Sequence, residues 1–88
     1  MNRPEIDKHE VTNAITRVVE KLEFRLNQKG RGAFVSSHEI LGVITEEYKE
    51  LIDAVQDNSE MQVKNELVDI AVGCIFSVAC IDAGTLDW

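Results

Sequence analysis

Three observations on this sequence predict an all-α fold. Apolar residues recur every three or four positions in three separate stretches. Two capping boxes, Ser36 to Glu39 and Ser59 to Gln62, mark helix starts. Gly30 with Gly32, and then Asp57-Asn58, break the pattern between the stretches. The expected architecture is one domain over residues 1–88. It is a three-helix protomer whose second and third helices form an antiparallel hairpin that dimerises into a four-helix-bundle core.

For the first helix, Pro4 and the acids Glu5, Asp7 and Glu10 suit a start, and Val11, Ile15, Val18, Leu22 and Leu26 supply the apolar stripe up to Gly30. Arg17, Lys21, Arg25 and Lys29 follow one another at i, i+4 steps, a like-charge ladder that costs helix stability unless an anion faces it. It reads either as a face turned to an anion or the acidic helices, or as a solvated basic face. Phe24 falls away from the stripe and is a candidate subunit contact. In the connection Gly30-Arg31-Gly32-Ala33-Phe34, glycine backbone and Arg31 could meet a phosphate, although a plain helix connection is the commoner role. Phe34 suits either a base stack or a staple against its own helix.

The second helix runs from the Ser36 cap to about Gln56, with His38 as a structural residue of its first turn. On a helical wheel Ile40, Leu41, Ile44, Tyr48, Leu51, Ile52 and Val55 form one apolar arc, with Glu47 at its edge, Glu50 one step out and Glu46 further towards solvent. A third helix begins near Glu60, and from Ile70 to Ile81 it has no charge. Such a helix needs cover on more than one side, which two other short helices supply only in part. A homodimer or a dimer of dimers is therefore expected. Gly84 is the expected cap at its end. Cys74 and Cys80, six apart, cannot pair with each other and are expected to be buried free thiols.

Composition narrows the function. Hydrophobic residues at 44% and charged residues at 28% describe an ordinary globular chain with a core. Nothing at the N-terminus resembles a signal peptide, and no apolar run is long enough to span a bilayer, so a cytoplasmic protein without membrane contact is expected. Residues 1–31 hold seven of the nine cations and five acids, whereas 32–88 hold two cations and eleven acids. With a net charge of −7 the chain does not read as a nucleic-acid binder.

The acids carry the chemistry. Glu47 and Glu50 are three apart on the second helix, and Glu66 and Asp69 are three apart on the third, so each pair leaves one helical surface. Like charges at that spacing repel unless neutralised, and four carboxylates offer the all-oxygen donor set that suits Mg²⁺ or Mn²⁺ rather than zinc. Glu66, Asp69, Gly73 and Ser77 share a stripe among apolar neighbours.

The string Glu46-Glu47-x-x-Glu50, fifteen residues, then Glu66-x-x-Asp69 resembles the signature of the MazG-like family of all-α nucleoside triphosphate pyrophosphohydrolases. The resemblance covers the second half of the chain. It implies a Mg²⁺-dependent hydrolysis of nucleoside triphosphate to monophosphate and pyrophosphate. It makes Glu47, Glu50, Glu66 and Asp69 the metal ligands, with Glu46 or Glu47 positioning the attacking water. Family members usually place basic residues for the triphosphate after the second acidic motif, whereas here no Lys or Arg follows Lys64. Phosphate contacts are then expected from Lys21, Arg25, Lys29 or Arg31, with Phe34 near the base. The alternative is a non-catalytic helical dimer of the same fold that serves as an interaction or metal-binding module.

Overall fold

The computed structural model describes residues 2–88. Among them are three helices and no strand: α1 (Lys8–Lys29), α2 (Ser37–Gln56) and α3 (Glu60–Asp82). Each opens on a side-chain cap that satisfies an otherwise unpaired N–H of the first turn. Asp7 accepts from the His9 N–H, Ser36 from Glu39 and Ser59 from Gln62. The first helix thus starts later than Pro4 suggests, because Asp7 supplies its cap.

Helices α2 and α3 end alike. At α2 the Asn58 N–H returns to the Val55 carbonyl and the Ser59 N–H to Ala54, with Asn58 at φ 55°. At α3 the Gly84 N–H returns to Ile81 and the Thr85 N–H to Cys80, with Gly84 at φ 72°. This paired return satisfies the last carbonyls and requires one left-handed residue just past the helix. Since Ser59 also caps α3, the hairpin turn is only two residues long and the helices must lie antiparallel. Gly84→Ala is expected to lower stability by about 1–2 kcal/mol, the usual cost of a Cβ in left-handed backbone. Urea unfolding of the two proteins measures it.

α3 is the central helix. Both α2 and α1 pack on it, and not on each other. Gly73 lets α2 come close: a Cβ there would meet Ile44 Cδ1 at 3.1 Å. After α3 the tail turns back over the link between α1 and α2. Thr85 Oγ1 donates to the Phe34 carbonyl at 2.7 Å, and the Asp87 N–H donates to Val35. That contact holds Phe34 against Phe76 of α3, edge to face, with ring centroids 5.3 Å apart. Phe34 therefore packs on the α3 face.

The protomer is thinly covered. Its buried apolar residues are Ala54, Val72 and Cys80, and α1 buries none. The apolar arc of α2 divides into two seams, because it is too wide for one neighbour. Ala54 is buried, and Ile44, Glu47 and Leu51 are half-buried; Leu41, Tyr48, Ile52 and Val55 are exposed. Partial cover of α3 is found as expected, since Leu67, Ile75, Val78 and Ile81 remain exposed. Cys80 is buried, but Cys74 is exposed within the protomer, contrary to expectation, because it lies on the part of α3 that neither α1 nor α2 covers. Both are free thiols. Among the described residues no helix is long and apolar enough to cross a membrane.

Candidate active site

The antiparallel hairpin sets Glu47 of α2 against Glu66 and Asp69 of α3. One carboxylate oxygen from each lies within 4.8 Å of the others, and all three side chains are half-buried. Glu47 Oε2 and Glu66 Oε2 are shut off from solvent and have no hydrogen-bond partner. Buried oxygens of this kind normally cost free energy, so their presence marks a group waiting for a partner. Burial first, and then the charges of Glu50, Asp69 and Glu66, push Glu47 up to about 7. Glu66 is also raised, by burial first and the neighbouring Glu50 carboxyl second. Three close, hard oxygen donors, with Glu47 and Glu66 held back from ionisation, fit a divalent cation such as Mg²⁺.

The other predicted residues fall at graded distances from this centre. Glu50 is exposed and outside the group of three, although it is near enough to act on both Glu47 and Glu66. Glu46 is exposed. From α1, Arg25 Nη2 donates to Asp69 Oδ1 at 3.3 Å and Lys21 Nζ stands 3.8 Å from the same oxygen. The basic ladder thus faces an acidic helix at these two rungs. Lys21 also lies 5.7 Å from the centre of the exposed Phe24 ring.

Beside the acids opens a cavity of about 250 Å³. Its walls are mainly apolar, from Leu22, Leu26, Phe34, Val43, Val72 and Phe76, while Arg25, Lys29, Glu47 and Asp69 supply the charge. Arg31 is exposed and is not on the wall, although Gly30 and Gly32 are. Sequence reasoning missed Phe76 and Val72. Phe76 had a signal, because Asp69, Gly73 and Phe76 follow at i, i+4, i+7 and so share a helical face. Ser77, placed on the same stripe as Gly73 by spacing, is buried and donates to the Gly73 carbonyl.

The chain is thus all-α, with three acids converging beside an apolar cavity. The family model of the MazG nucleotide pyrophosphohydrolase domain matches residues 35–87, more than half of the chain, and the chain belongs to that family. The match takes in α2, α3 and all three converging acids and leaves α1 outside. No curated protein and no solved structure matches the chain significantly.

Proposed function

We propose that the protein is a Mg²⁺-dependent nucleoside triphosphate pyrophosphohydrolase that converts NTP or dNTP to the monophosphate and pyrophosphate. The observation that carries this reading is the convergence of Glu47, Glu66 and Asp69, two of them with solvent-free unpartnered oxygens, at the edge of an apolar cavity flanked by cations. Glu47, Glu66 and Asp69 hold the metal, with Glu50 completing the set from the outside. When bound, Mg²⁺ or Mn²⁺ neutralises charge on the phosphate oxygens and acidifies a water. Glu47, which lines the cavity, orients that water, with exposed Glu46 behind it. The water oxygen forms the new bond to phosphorus as the anhydride P–O bond breaks, its proton passes to the Glu47 carboxylate that orients it, and pyrophosphate takes up the electron pair. Arg25, Lys21 and Lys29 offset the remaining phosphate charge, whereas Arg31, exposed on the connection, is left outside this set. Phe34 and Phe76 enclose the base.

The functional unit is proposed to be a homodimer or a dimer of dimers. A compact 9.9 kDa protein exposes roughly 5,200 Å², whereas this protomer exposes 7065 Å². Its radius of gyration is 15.0 Å, against about 12 Å for a compact chain of this length. The excess, roughly 1,900 Å² per chain, is about twice what one partner buries in a standard interface. It lies along two seams at coiled-coil spacing, Leu41, Tyr48, Ile52 and Val55 on α2 and Leu67, Cys74, Val78 and Ile81 on α3. Copies joined along them would form the four-helix core.

Pyrophosphate release from a panel of ribo- and deoxyribonucleoside triphosphates with Mg²⁺ tests the activity. At least one substrate is expected to be turned over, with the activity lost on chelation. Metal binding without any pyrophosphate release would leave the non-catalytic dimer as the correct reading.

A further inference from the structure

The helix that the family match leaves out supplies cations to the acidic centre. Among the described residues, Asp69 is the one of the three converging acids that is paired with cations. Arg25 and Lys21 both bear on its Oδ1, while the Oε2 atoms of Glu47 and Glu66 have no partner. Asp69 is also the residue common to the apolar cavity and a neighbouring groove. On one side is the apolar cavity, with Arg25 and Lys29 on its wall. On the other is a groove lined by Arg17, Glu20, Lys21 and Phe24 of α1, together with Asn65 of α3. The two ion pairs therefore straddle the crossing between an apolar pocket and a groove in which Arg17 and Lys21 stand against Glu20 and Asp69.

Taking as its basis the metal reading above, we propose that Arg25 and Lys21 are built-in counter-ions of Asp69, which they release when a divalent cation is taken up, freeing both side chains for the polyphosphate. A carboxylate oxygen at ligand distance from a divalent ion, about 2.1 Å, cannot also keep two cations within 4 Å without setting like charges against each other. The burial decides which partner moves. The Arg25 and Lys21 side chains are 31% and 38% exposed, against 18% for Asp69. The long cationic side chains can swing away on flexible stems and remain solvated, whereas Asp69 is held by α3. Freed there, Arg25 faces the cavity and Lys21 the groove, one on each side of the acids. Metal loading and phosphate capture are then coupled through one oxygen atom. The i, i+4 spacing of Lys21 and Arg25 finds its use in this, since it sets one cation on each side of Asp69.

Calorimetry on the full chain tests the coupling, with Mn²⁺ alone and then with inorganic tripolyphosphate added to the metal-loaded protein. Arg25→Gln is expected to bind Mn²⁺ about two- to fivefold more tightly, the range that a partly exposed ion pair supports. The same variant should bind tripolyphosphate about tenfold more weakly. Arg25→Lys, which keeps the charge, should stay near the parent in metal affinity. Arg17→Gln removes an equal charge from the same helix but no ion pair to Asp69, so it should leave metal affinity close to the parent's. Unchanged or weaker Mn²⁺ binding in Arg25→Gln, or equal tightening in Arg17→Gln, overturns the counter-ion role and leaves the metal centre standing. A parent that binds no Mn²⁺ overturns both.

Discussion

Glu47→Gln is expected to cut pyrophosphate release by on the order of 10²–10³-fold, the loss that follows removal of one group acting directly on developing charge. Its effect on stability has the opposite sign. In the metal-free fold Glu47 sits beside Glu66 and Asp69, and its carboxyl is raised from 4.5 to about 7. A carboxyl raised on folding favours the native state below its unfolded pKa and loses that contribution as pH rises through the folded value. The metal-free parent should therefore lose stability between about pH 4.5 and 7 on account of Glu47. The amide cannot ionise, so the variant should melt higher than the parent at pH 8 without metal. With Mg²⁺ the order should reverse. A ligand that binds only the native state at 100 times its dissociation constant adds about 2.7 kcal/mol, and Glu47→Gln should forfeit most of that. Glu46→Gln, on an exposed side chain, should do little of either. Melting curves with and without Mg²⁺ decide the matter: no metal-dependent shift in the parent removes the metal centre, and equal losses in both variants remove only the ranking of the two acids.

Cys74→Asp should weaken self-association by about 10³-fold or more, since an unpaired charge buried in an interface costs several kcal/mol. Cys74 is exposed within the protomer and flanked along its seam by Leu67, Val78 and Ile81. Light scattering and far-ultraviolet circular dichroism together read the result. The expected outcome is a smaller species, or a loss of helix signal if the protomer cannot stand alone. An unchanged mass with full helicity shows that this seam is not the interface, and a well-folded parent monomer at micromolar concentration refutes the oligomer altogether. Ile75→Asp is a weaker test, because Ile75 also borders the apolar groove of α1 formed by Val11, Ala14, Ile15, Val18 and Val19.

Sequence alone determined what depends on near neighbours. Capping oxygens act over three residues, so Ser36 and Ser59 mark their helix starts without reference to the rest of the fold. The i, i+3 spacing places Glu66 and Asp69 on one face of α3 and assigns Glu47 and Glu50 to α2, and those motifs are enough to identify the family over residues 35–87. Tertiary structure decided what depends on the partner each surface meets. One apolar arc on α2 became a buried seam and a bare one, because a single neighbouring helix cannot cover so wide an angle. That packing turns Glu47 inward beside the α3 acids and leaves Glu50 at the rim. Periodicity could not choose which rungs of the basic ladder meet an acid, since all four look alike on a wheel. Only the lateral packing of α1 on α3 singles out Lys21 and Arg25 for Asp69. The cavity has the same origin. Phe34 and Phe76 lie forty-two positions apart in the chain and meet only because the tail beyond α3 folds back and holds the connection in place.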